Sequence, residues 1–162
     1  HLREWQKVED GVYEIESREI RVRRKWSFLD NDSILEEIII SNLSGRFRKI
    51  KLTEMVIFND RFDEIGDDAR TVKGDAIFSI SNKDLIWISV KNEKIGMLSI
   101  FEQKEEDTYN QWATQLSNFY GAVSFQHNFT LEPLEIKVIK RIFTRSLNKL
   151  LEIKNLKNQL DY

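Results

Sequence analysis

The sequence predicts an all-β protein: a supersandwich-like antiparallel β-sandwich with a C-terminal amphipathic helix. The first observation is a series of short segments in which apolar and polar residues alternate, separated by Asn, Asp, Gly and Ser. Such period-two alternation between turn residues is typical of half-buried antiparallel strands. The second is a change to leucines three and four residues apart near the end of the chain, which is the helical period. We therefore expect a sandwich over residues 1–143 and a helix over residues 144–162.

The first three strands are expected to follow one another as hairpins. Even positions from residue 19 to residue 28 are apolar, and Arg24 is the one break in the pattern. Turn residues then lead into a β-branched segment over residues 34–41, and a second turn leads into a long strand over residues 47–58. One face of this third strand is expected to be buried. It comprises Ile50, Leu52, Val56 and Phe58.

The second half of the sandwich begins after an acidic loop over residues 59–75. Residues 102–120 lose the alternation, and we expect a loop or a short helix there. On either side of that excursion the pattern predicts further strands. They span residues 76–81, 85–91, 95–101, 123–131 and 134–138.

The final segment is expected to be a helix that Thr144 or Ser146 caps. Its apolar residues form one stripe, with Lys and Asn on the other face, so the stripe must pack on the sandwich or on a following domain. The stripe comprises Leu147, Leu150, Leu151, Ile153, Leu156 and Leu160.

Composition limits the classes of function. A chain of 162 residues with 41% hydrophobic residues can bury one sizeable core. Its formal net charge of -2 argues against a nucleic-acid-binding protein or a surface for anionic membranes. It has no cysteine and two histidines, so disulfides, thiol nucleophiles and zinc fingers are excluded, and we expect no metal and no cofactor.

Targeting signals are also absent from the sequence. No apolar run approaches the ~20 residues that cross a bilayer, so we expect no membrane segment. The sequence begins at His1 without a basic and apolar leader, and we interpret it as a cytoplasmic protein and as a piece of a longer chain. Its many Ile, Lys and Glu residues fit a thermophile or a genome with that base composition equally well.

The acidic loop has five carboxylates in nine residues, a density that a Ca²⁺ site or an acid/base pair could use. The D-x-[DN]-x-[DN]-G spacing of an EF-hand is missing. We therefore favour a solvated loop that Arg61 and Arg70 partly neutralise.

A basic strand face with Arg21, Arg23 and Lys25 could bind phosphates, but a cross-strand ladder of ion pairs explains it better. Its expected partners are the glutamates Glu14, Glu16, Glu19, Glu36 and Glu37.

Aromatic residues are the candidates for a ligand surface. Trp26 and Trp87 fall within strand patterns, so we expect them in the core. His127 alternates with apolar residues and is expected to be a hydrogen-bonded core histidine without a catalytic role. The aromatics of the irregular segment can stack on a sugar ring or bind a partner. They are Tyr109, Trp112, Phe119 and Tyr120.

Several segments carry a resemblance to a known family. Residues 26–30, 34–44 and 48–52 resemble the N-terminal β-sandwich domain of glucoamylase and glycogen-debranching type glycoside hydrolases, including its strand that ends in Asn-Leu-Ser. Other segments are similar to its Phe/Asn/Asp-rich loop, its closing strand and its linker helix. They are residues 58–69, 129–135 and 146–160.

The resemblance implies that the catalytic carboxylates lie in a helical barrel outside these 162 residues. This chain would then be a non-catalytic accessory or scaffold domain of an α-glucan-acting enzyme, with a helical catalytic domain as partner and contact to α-glucan. The alternative is a free-standing module that binds a protein partner through a sheet edge or the leucine-rich helix. A third interpretation, an enzyme that uses the acidic loop, lacks a nucleophile, metal or cofactor motif.

Overall fold

The computed structural model describes residues 4–73, 79–82 and 84–160, which form strands and one helix. The strands are β1 (Gln6–Glu9), β2 (Val12–Glu16), β3 (Ile20–Asp30), β4 (Ser33–Asn42), β5 (Arg48–Phe58), β6 (Glu64–Gly66), β7 (Thr71–Lys73), β8 (Ser79–Asn82), β9 (Leu85–Val90), β10 (Glu93–Ile100), β11 (Thr108–Gln115), β12 (Gly121–Leu131) and β13 (Ile136–Thr144). The helix α1 (Leu147–Leu160) follows.

The described strands form two antiparallel sheets. The larger sheet has the order β1-β2-β3-β4-β13-β10-β9-β6-β7, and the smaller has the order β5-β12-β11-β8. This confirms the predicted antiparallel β-sandwich with a C-terminal helix. Residues 76–78 of one predicted strand lie outside the described residues, and its last part forms β8 at the edge of the smaller sheet.

The predicted loop or short helix over residues 102–120 is wrong for residues 108–115, which form strand β11, whereas the residues on either side of it are irregular. Tyr109, Gln111, Ala113 and Gln115 alternate as the buried positions of this strand. Two of those four inward positions are glutamines, so the hydrophobic pattern that marks a half-buried strand is hidden. The acidic loop also contains the short strands β6 and β7, which the sequence pattern does not predict.

The core has two parts, one on each face of the larger sheet. Between the sheets, apolar residues of β4, β9, β10 and β13 pack on residues of β5, β11 and β12. On the opposite face the helix α1 packs through Leu150, which is fully buried. Its cluster comprises Leu85, Leu98, Ile142 and Leu150.

The helix begins with Ser146 as its cap, whose hydroxyl accepts a hydrogen bond from the backbone N–H of Lys149. The predicted single stripe divides: Leu150 is buried, but Leu151 and Leu156 are exposed. No helix among residues 4–73, 79–82 and 84–160 has the length and apolarity to cross a bilayer.

Two arginines on the basic face of β3 form part of the predicted cross-strand ladder, whereas Glu36, one of the expected partners, pairs with Arg24 and Arg141 instead. Arg23 donates to Glu14 of β2 at 2.7 Å, and Arg21 donates to Glu16 at 3.2 Å. The antiparallel register places each of these pairs directly opposite. Exposed pairs of this kind stabilise a sheet modestly and need no ligand.

Gly66 of β6 leaves room for the Trp87 indole of the neighbouring strand β9. A Cβ atom at this position would lie 2.1 Å from Cζ2 of the Trp87 indole. We expect Gly66→Ala to lower the free energy of unfolding by about 1–3 kcal/mol, because a rigid ring must move. Urea unfolding followed by circular dichroism measures it.

Gly45 provides the matched control, since a Cβ atom there meets nothing within 4 Å. Gly45→Ala should change the free energy of unfolding by less than about 0.5 kcal/mol. Equal losses in the two variants would contradict the steric explanation.

Candidate functional site

Charged side chains occupy the space between the two sheets. Arg141 of β13 has no solvent exposure, and Glu36 of β4 and Glu54 of β5 are also buried. The antiparallel registers explain how they meet. In the larger sheet, Trp26, Glu36, Arg141 and Ser99 form one row across four strands. In the smaller sheet, Glu54, Phe125 and Gln111 form the facing row.

We call the buried polar side chains of these two rows, together with those of the adjacent rows, the inter-sheet cluster. It comprises Arg24, Glu36, Glu54, Ser99, Tyr109, Gln111, His127 and Arg141. The residues come from β3, β4, β10 and β13 of one sheet and β5, β11 and β12 of the other. Its polar contacts therefore join the two layers of the sandwich.

Arg141 is the centre of the cluster. Its Nε donates to Glu54 Oε1 at 3.1 Å, and its Nη1 donates to Ser99 Oγ at 2.6 Å. The Nε atom also lies 3.5 Å from Glu36 Oε1, and the guanidinium lies 3.8 Å from the centre of the Phe125 ring. A buried charge is tolerated only with such compensation, because burial removes its hydration.

Arg24 closes the cluster at the side of β3. Its Nη2 donates to Glu36 Oε2 at 3.0 Å and to the carboxylate of Glu54. Trp26 Nε1 donates to the same Glu36 oxygen at 2.8 Å. Two guanidinium groups and two carboxyl groups thus alternate, and their formal charges sum to zero when both carboxyls are ionised.

The two carboxyl groups differ in their affinity for a proton. Burial raises the pKa of Glu54 to about 7, against the opposing charge of Arg141. Burial also acts to raise the pKa of Glu36, but a hydrogen bond with Glu54 and the charge of Arg141 hold it below its usual value. Near neutral pH, Glu54 is the group of the pair that takes up a proton.

His127 lies in the aromatic part of the cluster. Its ring centre is 4.3 Å from that of Tyr109 and 4.8 Å from that of Phe101. The predicted burial is confirmed, but the predicted hydrogen bonding is wrong: neither ring nitrogen has a partner among the residues that the structure describes. Burial lowers the pKa of His127 to about 3, so the neutral ring serves as an aromatic packing group.

A pocket of about 210 Å³ reaches the charged end of the cluster, where Arg24 and Glu54 form part of its wall. It lies between β3 and β4 of the larger sheet and β5, the edge strand of the smaller one. Arg24 lies 5.4 Å from the centre of the Trp5 ring, at the mouth of this pocket. The lining residues are Trp5, Val22, Arg24, Ile38, Leu52, Thr53, Glu54 and Met55.

The four aromatics named as candidate ligand-binding residues do not share one surface. Tyr109 is buried, and its hydroxyl is hydrogen-bonded to Ser99 Oγ at 2.7 Å within the inter-sheet cluster. Trp112 lies half-buried on the outward face of the smaller sheet. Phe119 and Tyr120 are exposed in the turn between β11 and β12. A ligand at the last three residues stays a prediction.

The two tryptophans expected in the core have different positions. Trp87 is 7% exposed, and its Nε1 donates to the backbone oxygen of Asp67 at 3.0 Å, so that prediction is confirmed. Trp26 is 38% exposed, so the prediction for it is wrong. Its ring lies beside Arg24, 4.6 Å from the guanidinium, near the edge of the sandwich.

Carboxylates of the acidic loop bind neighbouring cations and backbone groups. Asp67 accepts hydrogen bonds from the backbone N–H groups of Ala69 and Arg70 and from Arg70 Nε. Asp60 pairs with Lys91 at 3.2 Å. Within the described part of the chain, no group of three or more metal-ligating side chains is close enough to hold an ion.

Comparisons with known proteins add little to this description. No family model matches the chain, and no curated protein matches it. Among solved structures, it is similar to a protein described as a kojibiose phosphorylase from human microbiome, with a TM-score of 0.44 and 17% identity. The match covers 93% of this chain and 20% of that one, so the chain spans about a fifth of its length. We therefore base the function on this chain's own residues.

Loss of Arg141 should be costly. Arg141→Met leaves the two buried carboxylates of Glu36 and Glu54 with Arg24 as the one remaining cation of the cluster, and we expect the free energy of unfolding to fall by about 3–5 kcal/mol. Chemical denaturation at pH 7.5 measures this loss. Arg23→Met on the exposed ladder is the control, with an expected loss below about 1 kcal/mol. A similar small loss for Arg141→Met would show that the cluster is not a unit.

His127 should make the protein sensitive to acid. The unfolded chain takes up a proton near pH 6.5 and the folded chain near pH 3, so stability falls as the pH drops below 6.5, by about 1.4 kcal/mol per unit. Relative to the wild type, His127→Phe should therefore gain about 2 kcal/mol between pH 7 and pH 5.

Denaturation curves of both proteins at the two pH values test this difference. Glu54 has the opposite dependence: its stabilising contribution is complete below the ordinary glutamate pKa and is lost as the pH rises through about 7. Both proteins share that contribution, so it cancels. An equal response of the two proteins to pH would sink the assignment of the acid sensitivity to His127.

Proposed function

We propose that this chain is a non-catalytic sandwich domain that supports the catalytic domain of an α-glucan-acting glycoside hydrolase of the glucoamylase or debranching type. The sequence resemblance suggests the class of enzyme. The structural observation that carries the scaffold role is a set of exposed apolar residues on the outer face of the larger sheet and on its helix. We call it the outer apolar surface. It comprises Ile136, Val138, Leu151 and Leu156.

The helix α1 contributes the first part of this surface. Leu150 is buried against the sheet, whereas Leu151 is 37% exposed and Leu156 is 60% exposed. A helix that packs on a single sheet needs one apolar stripe, and exposed leucines outside that stripe indicate a second contact. Because successive residues turn by about 100°, Leu151 and Leu156 lie at the two margins of the solvent-facing surface of α1. A partner domain that covers this surface would contact both.

Strand β13 contributes the second part. Ile136 and Val138 alternate with inward positions, so they lie on the same face of the sheet as Ile142, which packs against the helix. Ile136 is 61% exposed and Val138 is 40% exposed. Exposed apolar groups on one face are typical of surfaces that bind another protein or domain.

The inter-sheet cluster also suits a scaffold. Its charged groups are bonded to one another across the two layers, with Arg141 and Glu54 joined at 3.1 Å. Such contacts fix one layer relative to the other, so a domain that docks on the outer face meets a rigid support.

The mass of the native polypeptide tests the proposal directly. We expect an antibody against this chain to detect a product several times larger than 19.3 kDa in the source cells, because the catalytic domain belongs to the same polypeptide. A native product of 19.3 kDa would contradict the hydrolase assignment. With concentration-dependent self-association, it would favour the second candidate, a free-standing interaction module that uses the same outer apolar surface.

In the larger product, variants of the helix test the docking surface. Leu151→Lys combined with Leu156→Lys should weaken the contact between domains, and limited proteolysis should then release the sandwich faster than in the wild type. Asn110→Lys adds a charge at an exposed polar position of the smaller sheet, away from α1, and should leave the cleavage rate unchanged. Equal cleavage of all three proteins would argue against docking through α1.

A further inference from the structure

We infer that the pocket between Trp5, Arg24 and Glu54 is a binding site for a single neutral sugar ring. This site is separate from Trp112 on the outward face of the smaller sheet and from the exposed aromatics of the β11–β12 turn. The inference rests on the proposed function, since it names the place where the domain would contact the glycan.

The size of the pocket limits the ligand. Its volume is about 210 Å³, below the ~300–1,000 Å³ that is usual for sites of drug-sized ligands. One six-membered ring with its hydroxyl groups is of suitable size, and a longer chain would have to extend out of the mouth past Trp5. The pocket therefore suits the end of a glycan chain.

The charges of the pocket favour a neutral ligand. Arg24 and Glu54 both belong to the inter-sheet cluster, in which two arginines compensate two glutamates above about pH 7, where Glu54 is ionised. An anion or a cation in this pocket would leave one partly buried charge without compensation, which is costly. A ligand with hydroxyl groups adds hydrogen bonds without adding charge.

Hydrogen-bonding capacity remains at the base of the pocket. The Arg24 side chain remains 25% exposed, so its guanidinium can donate a bond to a ligand oxygen. The Glu54 carboxyl can accept a bond from a ligand hydroxyl, because two oxygens offer more lone pairs than the arginines use. The guanidinium can donate to one ligand hydroxyl, and the carboxyl group beside it can accept a bond from the next. The pair therefore suits two neighbouring hydroxyl groups.

The apolar walls of the pocket match the apolar C–H face of a sugar ring. Trp5 is 42% exposed beside the pocket, and Val22, Ile38 and Leu52 contribute aliphatic side chains to its lining. A flat indole and aliphatic groups can cover the C–H face of a pyranose, while its hydroxyl edge reaches the polar base. An open-chain polyol has similar hydroxyl groups but no flat C–H face for the indole to cover, so it should bind more weakly.

Isothermal titration calorimetry of the 162-residue chain tests the site, with glucose and maltotriose as probes and sorbitol as the open-chain control. We expect saturable binding of both sugars and much weaker binding of sorbitol. Trp5→Ala should weaken sugar binding about tenfold, which corresponds to one stacking contact. Glu54→Gln should weaken it by a similar factor, because an amide replaces one acceptor oxygen with a donor.

Phe47→Ala is the control, since it removes an exposed aromatic ring that does not line the pocket, and it should leave sugar binding unchanged. Trp112→Ala tests the other candidate position of a glycan, on the outward face of the smaller sheet. Near-ultraviolet circular dichroism checks that each variant is folded. If Glu54→Gln does not fold, Trp5→Ala at an exposed position still decides the question.

Three results would overturn the inference: absence of saturable binding, equal affinity in the wild type and Trp5→Ala, or loss of binding in Trp112→Ala alone. The third would move the glycan contact to the outward face of the smaller sheet and would leave the proposed function intact. The native mass of the polypeptide tests the scaffold role separately, so failure of this site and failure of that role are distinguishable.

Discussion

The ion pairs of Arg141 with two glutamates from different sheets constrain the whole sandwich. A cation with no solvent exposure must keep both partners, and Glu36 and Glu54 reach it only when the row Trp26–Glu36–Arg141–Ser99 faces the row that begins with Glu54. Replacing such a cluster with apolar residues is often neutral or stabilising, so its net contribution to stability is small. A shift of either sheet would, however, bury uncompensated charges. The cluster therefore opposes misalignment of the two layers.

The same cluster determines the character of the pocket beside it. Strand β5 is an edge strand of the smaller sheet, so the cluster is accessible on that side. Arg24 and Glu54 therefore become part of a cavity wall. The other side is closed by Tyr109, Phe101 and His127, where burial keeps the imidazole neutral. One network thus supplies a rigid interior and a polar base for a ligand. The outer apolar surface lies on the opposite face of the larger sheet, so docking and ligand contact use different sides.

Much of the fold could be predicted from local pattern, and the candidate site could not. Alternation gives β3, β4, β5, β12 and β13 because each strand has one buried face. It fails for β11, where Gln111 and Gln115 point inward and bond within the core. On β5, Glu54 falls on the same face as Ile50, Leu52, Val56 and Phe58, and on β3 Arg24 interrupts an apolar face. These two charged residues at inward positions were the signal in the sequence for the site. Their role follows only from the residues that they contact in the folded protein.

The sequence by itself determined the period-two strands, the turns between them and the helical period of the last segment. These features depend on neighbours a few residues apart, so local physics decides them. The tertiary structure decided which inward charges meet: Arg141 and Glu54 are 87 positions apart, and strand order and register bring them to 3.1 Å. It also decided that Tyr109 is buried and Trp26 partly exposed, because burial depends on what the facing sheet covers. Alternation assigns a residue to a face, and only the packing of the two sheets decides what that face contacts.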